Sequence, residues 1–320
     1  MGRITLSVEW ARSGKTDPHW LGESARMTRI AVTGASGFLG RHVLAALSRA
    51  KVDIAAHART PLPEPGAAER RWSYFDLAAA PNDAFERLGR PDTVIHLAWE
   101  GLPNYLSLRH FEVELPVQYR FLRGLVEAGL KTLVVTGTCF EYGMQSGRLH
   151  EDMTPQPSNP YGFAKDALRR QLEFLNATLP FDLRWIRLFY LYGSGQASTS
   201  LYSQFQAAVA RGDKKFDMSA GEQLRDFMKA EDAATAIVGV ALAQHAPRVL
   251  NICSGQPTSV RDLVERWRAE MDADIELNLG AFAYPTYEPF AFWGDNRRLC
   301  GLLARPGSGG TQPLVRTTME

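Results

Sequence analysis

Three side chains carry a pattern suited to proton transfer: Thr138, Tyr161 and Lys165. Tyr161 and Lys165 stand four apart in "YGFAKDALRRQLEFLNATL". The apolar spacing of that stretch predicts an amphipathic helix, so the two side chains share a face. A free tyrosine, with a pKa of ~10, is a poor acid–base group near neutrality. A nearby ammonium stabilises the phenolate and lowers that value. Thr138 closes the apolar run "KTLVVTGT" and offers a hydroxyl to a substrate oxygen. A Tyr-x-x-x-Lys pair recurs often by chance, so its weight depends on the elements that would hold it.

Those elements read as strands alternating with helices. "RIAVT", "VDIAAHA", "RWSYFDL", "DTVIHLA", "KTLVVTG" and "FDLRWIRLFY" are short apolar runs rich in β-branched residues, and "VLNICSG" reads as a last sheet strand. After Gly40, Val43, Leu44 and Leu47 recur at helical spacing. "HFEVELPVQYRFLRGLVEAGL" reads as a long helix, with Pro116 kinking it or lying in its first turns. The alternation predicts an α/β protein with a doubly wound parallel sheet of the Rossmann type. Past Tyr190 the regularity breaks into short pieces, as in a smaller domain built from insertions. The expected organisation is a dinucleotide-binding domain over 28–190 plus about 227–253, and a substrate-binding α/β domain over 191–226 plus 254–305. Residues 1–27 read as a flexible extension, with Met27 as a natural start, and 306–320 as a flexible tail. "SGKT" at 13–16 lacks both the leading glycine and the strand of a phosphate-binding loop.

"TGASGFLG" places Gly34, Gly37 and Gly40 three apart between the first strand and its helix. The first glycine allows a tight turn, the second a close backbone approach to a pyrophosphate, and the third close helix–sheet packing. The helix N-terminus then presents N–H groups to phosphate. Dinucleotide binding follows, with Ser36, Phe38 and Leu39 as further contacts. An acidic residue at the end of the second strand would bind the adenosine ribose of NAD. Ala58 stands there, followed by Arg59. A guanidinium without a competing carboxylate suits a 2′-phosphate, so NADP(H) is the expected cofactor, with NAD(H) as the second choice. Asp76 suits the adenine edge, beside Leu77. Leu97 and Ala98 end the fourth strand where small residues let the cofactor pass, and His96 reads as a packed strand histidine. Lys165 can also hold the nicotinamide ribose.

Bulk numbers exclude other classes. With 320 residues, 45% of them hydrophobic, the chain can bury a sizeable core. A net charge of +1 gives no reason to expect nucleic acid or a membrane surface as partner. Cys139, Cys253 and Cys300 are odd in number and far apart, which fits reduced thiols in a cytoplasm and neither a disulfide framework nor a metal site.

With these motifs in order, the chain resembles the extended short-chain dehydrogenase/reductase family of nucleotide-sugar epimerases, dehydratases and reductases. The resemblance covers roughly 28–300 and rests on "TGASGFLG", "FDL", "HLA", "TGTCFEYG", "NPYGFAK", "RLFYLYGSGQ", "LRDFMKAEDAA" and "NICSG". It implies that Thr138, Tyr161 and Lys165 form the catalytic triad. It implies that Thr136 and Phe189 also border the cofactor, and that Arg225 binds a substrate pyrophosphate, as a guanidinium can by bidentate contact. Trp99 and Tyr190 are expected at the sugar and base pocket. Two departures stand out: Tyr190 replaces a common asparagine, and Glu114 stands where a supporting helix asparagine is usual.

Phe140 narrows the reaction. Dehydratases of this kind carry a glutamate two residues before the tyrosine of "YG", and the epimerase-reductases that make GDP-fucose carry a cysteine there. A phenyl ring moves no proton. Cys139 is one residue off and, on a strand, would face away, while Glu141 is also out of phase and reads as structural or rim-facing. Hydride transfer plus one proton survives. The chain looks like a reductase of 4-keto-6-deoxyhexoses carried on dTDP or CDP, which serve surface polysaccharide synthesis. A nucleotide-sugar 4-epimerase with tightly held NAD is the alternative enzyme, and a non-catalytic NADP-binding sensor the alternative of another class. The helices at 108–129 and 161–178 are expected to build a homodimer through a four-helix bundle, as in family members.

Overall fold

The computed structural model describes residues 27–61 and 71–304, together with the backbone of two short strands, Val8–Trp10 and Pro313–Val315, which pair antiparallel. Apart from those strands and Met27, the expected extension and tail lie outside the described residues.

Seven parallel strands form the main sheet. They are β1 (Arg29–Thr33), β2 (Asp53–Ala58), β3 (Arg71–Tyr74), β4 (Thr93–His96), β5 (Thr132–Thr138), β6 (Asp182–Leu188) and β7 (Val249–Ile252), in the order β7-β6-β5-β4-β1-β2-β3. The chain winds outward from β1 to β3, then crosses back to lay β4 on the other side of β1. That reversal leaves a crevice at the C-terminal ends of β1 and β4, where open α/β sheets bind ligands.

Both faces of the sheet are covered, which is why its strands read as unbroken apolar runs. On one face pack α1 (Phe38–Leu47), through Val43, Leu44 and Leu47, and α4 (Ala230–Leu242), through Ala233, Ile237 and Val240. On the other pack α2 (Leu115–Glu127), through Phe121, Leu122 and Leu125, and α3 (Pro160–Thr178), through Leu168 and Leu172. The chain enters α2 through a π-turn, His110–Glu114. Pro116 lies in the first turn of α2. It has no N–H to give to the turn before it, and the bonding pattern slips there without breaking the helix.

A third apolar core lies beyond the sheet. Phe205, Phe216, Val264 and Trp267 bring together helices Leu201–Arg211 and Val260–Glu270. A bridging cluster of Tyr142, Leu149, Phe189, Cys253 and Phe292 joins this part to the C-terminal edge of the sheet. Among the described residues no helix is long and apolar enough to cross a membrane.

Candidate active site

The glycine turn fits a dinucleotide. Gly34 adopts φ +71°, and a Cβ there would lie 2.8 Å from the backbone nitrogen of Ala98. A Cβ on Gly40 would lie 2.2 Å from the carbonyl oxygen of Gly34. Backbone therefore meets backbone on the floor of the crevice, with Ser36, Phe38 and Leu39 part-buried around it. Gly37 is the N-cap of α1 and brings no side chain to cap its first turn, and no acid stands in that turn. The N–H groups and positive dipole end of α1 are left to an anion. Leu97 follows β4, donates its N–H to the Thr33 carbonyl at 3.1 Å, and packs on the core beside the turn. Asp76 is exposed and caps its own turn, Oδ1 accepting from the N–H of Ala78 at 2.9 Å, with Leu77 the first residue of that turn.

The strand–helix logic that brings Thr138 to Tyr161 is local. β5 ends at Thr138, and residues Cys139–Tyr142 form one 3-10 turn. Thr138 caps it: Oγ1 accepts from the N–H of Phe140, while Glu141 Oε1 accepts from the N–H of Thr138 at 2.9 Å. Asn159 caps α3 by accepting from the N–H of Gly162 at 2.8 Å, with Pro160 next in the first helical position. Tyr161 is thus held in the first turn by both its cap and its N–H, which donates to the Tyr105 carbonyl at 3.2 Å. Its ring lies among His110, Tyr105, Trp99 and Phe140, with centroids 5.2, 5.6, 6.0 and 6.3 Å away. Burial pushes the Tyr161 phenol well up, with Tyr105, Cys139 and Glu141 adding to the rise, so the lowering expected from the Lys165 ammonium does not prevail.

Lys165 is 1% exposed, and its Nζ donates to the Thr136 carbonyl at 2.8 Å. The ammonium stands 3.9 Å from the centre of the Trp99 ring and 5.9 Å from that of Tyr161. Burial pulls its pKa down to about 7, with Glu141 and Glu114 holding it up. Thr136 also donates its Oγ1 proton to the His96 carbonyl at 3.1 Å, which ties β5 to β4 at the crevice.

Strand alternation does not extend past Thr138, because Cys139 already belongs to the 3-10 turn. Cys139 packs with Tyr142, Phe189 and Phe292, and its thiol is pushed up by burial and by Glu288. Phe140 is buried among tyrosines, its ring centroid 4.8 Å from that of Tyr105 and 6.4 Å from that of Tyr190. Glu141 is fully buried and accepts from Trp185 Nε1 at 2.9 Å and Arg187 Nε at 2.7 Å. Phe189 packs its ring between Tyr142 and Phe292.

Arg225 and Tyr190 converge on one carboxylate. Arg225 is 3% exposed and donates from Nη2 to Glu288 Oε1 at 2.7 Å; the Tyr190 hydroxyl donates to Glu288 Oε2. Asp226, next to Arg225 in sequence, turns the other way and accepts from the N–H groups of Ser254, Gly255 and Gly294. The sequence reading missed Glu288. Its signal was available, as the single acid inside the aromatic segment "YPTYEPFAFW".

His96 is fully buried, with Thr33 Oγ1 2.8 Å from Nδ1 and Gln118 beside it. Burial, reinforced by Lys165, pulls its pKa from 6.5 down to about 3. The unfolded chain therefore binds a proton that the folded one refuses. The stability this gives is complete above about pH 6.5 and is lost as pH falls towards about 3. Asp226, raised by burial from 3.8 to about 6, acts in the opposite sense over part of that window. The His96→Gln variant separates the two: its melting temperature should fall less between pH 7 and 4.5 than that of the wild type, measured by thermal denaturation at each pH.

The sequence profile described as the NAD dependent epimerase/dehydratase family matches residues 30–253. The chain belongs to that family. Within it, the chain is 29% identical over 268 residues to a dTDP-6-deoxy-L-talose 4-dehydrogenase (NAD(+)) of Aggregatibacter actinomycetemcomitans, covering 83% of this chain and 98% of that one. It is 26% identical to a GDP-6-deoxy-D-mannose reductase of Pseudomonas aeruginosa, over 78% of this chain and 82% of that one. Among solved structures, MoeE5 in complex with UDP-glucuronic acid and NAD superposes with a TM-score of 0.73 at 29% identity, covering 87% of this chain and 94% of that one. For this family member, the crevice at β1 and β4 and the Thr138–Tyr161 pair lie on one continuous side of the sheet, at the strand C-termini.

Proposed function

We propose that the protein reduces the 4-keto group of a nucleotide 4-keto-6-deoxyhexose, carried on dTDP or CDP, with NADPH preferred over NADH. The observation that carries this reading is Phe140. It occupies the position from which a dehydratase glutamate or an epimerase cysteine would work, and it is packed against Tyr105 beside Tyr161. The relatives support the reaction class: one is a reductase, and two are dTDP-6-deoxy-L-talose 4-dehydrogenases, that of Kitasatospora kifunensis described for NAD(P)(+). A dehydrogenase and a ketoreductase run the same hydride transfer in opposite directions.

Gly34, Gly40 and the N-terminus of α1 hold the dinucleotide pyrophosphate, and Lys165 holds the nicotinamide ribose. The bound nicotinamide supplies the hydride. Thr138 and Tyr161 orient the sugar carbonyl by hydrogen bonds to its oxygen, and Tyr161 gives that oxygen its proton as the alcohol forms. Burial keeps the Tyr161 phenol protonated, the form that a general acid uses. Arg225 takes the substrate pyrophosphate, and Tyr190 and Trp99 border the sugar. Oxidation of NADPH by dTDP- and CDP-4-keto-6-deoxyglucose, with NADH in parallel, tests the assignment. Turnover with either sugar supports it; no turnover with either points to a 4-epimerase, which would retain NAD through purification.

The second half of the proposal is a homodimer. Phe163 and Phe174 are 51% and 76% exposed on α3. They are eleven residues, about three turns, apart and so lie on one face. Phe111 packs edge-on to Phe163 at 5.9 Å and extends the apolar surface towards α2. Covering that face with the same face of a second copy gives a four-helix bundle. Sedimentation of the wild type is expected to give a dimer, and Phe163→Glu with Phe174→Glu a monomer; a monomeric wild type removes the proposal.

A further inference from the structure

Arg59 follows β2, and Glu100 lies four residues beyond β4. In the sheet, β1 runs between those two strands. An ion pair from Arg59 to Glu100 must therefore arch over the end of β1, where the glycine turn begins, and that pair is formed: Arg59 Nη1 donates to Glu100 Oε1. The pair spans the crevice in which the cofactor adenosine lies.

Glu100 is the better anchored partner. Its N–H donates to Glu114 Oε2 at 3.3 Å, and its second carboxylate oxygen accepts from Arg109 Nη2 at 3.1 Å. Arg109 also reaches Glu114 Oε1 at 3.3 Å, and Glu114, only 3% exposed, accepts from Gln118 Nε2 at 3.2 Å. Arg59 is bound to this group only at its tip and is 61% exposed as a side chain, against 44% for Glu100. Ion pairs this exposed are weak, so a bound phosphate can part them.

We propose that Glu100 is a cofactor-selecting residue. Its carboxylate supplies, from the loop after β4, the acid that is missing at Ala58 on β2. It accepts hydrogen bonds from the adenosine ribose hydroxyls of NAD. It also compensates the charge of Arg59 and repels a 2′-phosphate, which would otherwise take the guanidinium in bidentate contact. The opposed pair gives an enzyme that favours NADP(H) only moderately and accepts both cofactors. The inference rests on the dinucleotide reading of the crevice and on no particular sugar.

Calorimetric titration with ADP-ribose and 2′-phospho-ADP-ribose tests it without nicotinamide or turnover, since the two differ only at the 2′ position. Glu100→Gln is expected to tighten 2′-phospho-ADP-ribose by about five-fold and to weaken ADP-ribose. Arg59→Gln should weaken 2′-phospho-ADP-ribose, and the double variant should lose the gain of Glu100→Gln. Equal change for both ligands in Glu100→Gln, or none for either, overturns the assignment of Glu100 while the crevice reading stands. If the wild type binds neither ligand, both fail.

Discussion

Tyr161→Phe is expected to lower kcat for sugar-ketone reduction by about two to four orders of magnitude, with cofactor affinity and melting temperature little changed. The prediction separates chemistry from packing because the ring has its own work. Four aromatic neighbours enclose it, and its N–H holds Tyr105 through the backbone, so a phenyl group keeps every one of those contacts. Only the hydroxyl is lost, and with it the proton that completes the alcohol. Thr138 can still hold the carbonyl oxygen, which leaves substrate binding largely intact. Turnover of NADPH with the 4-keto sugar, compared at saturating concentrations of both, is the measurement. An unchanged rate would remove Tyr161 from the mechanism and favour a sensor that binds NADP without turning it over.

The sequence carries this much because most of the site is local. A buried parallel strand must be apolar on both faces, so the strands that frame the crevice stand out as runs. The glycine spacing is set by one turn, and the Tyr161–Lys165 pair by one turn of helix. What was not legible depends on residues distant in the chain. Arg225 meets Glu288 across 63 positions and Arg59 meets Glu100 across 41, and nothing in either neighbourhood announces its partner. The argument from strand alternation at Cys139 failed for a different reason. A capped turn starts one residue earlier than the apolar run suggests, and Thr138 and Glu141 form its capping box. Their spacing of three is the sequence signal of such a box.

Glu141 is where stability and chemistry are joined, and Glu141→Gln should cost about 3–5 kcal/mol in urea denaturation. The pair with Arg187 is buried on both sides, with side chains 0% and 2% exposed. An isosteric amide still accepts from Trp185 and from the Thr138 N–H, so the turn keeps its hydrogen bonds. The Arg187 guanidinium, however, is left as a buried charge without its carboxylate, facing the Tyr142 ring 4.5 Å away. Removing one ion of a buried pair is costly for this reason, whatever the net worth of the intact pair. The same substitution has a second readout. Glu141 is the larger of the two charges that hold up the pKa of Lys165, which burial otherwise pulls down to about 7. Without it, Lys165 loses its proton at a lower pH. If the ammonium is the form that holds the ribose, the alkaline limb of kcat/KM for NADPH must move to lower pH in Glu141→Gln. Lost stability with an unmoved limb would make Glu141 purely structural and would separate the charge of Lys165 from cofactor binding.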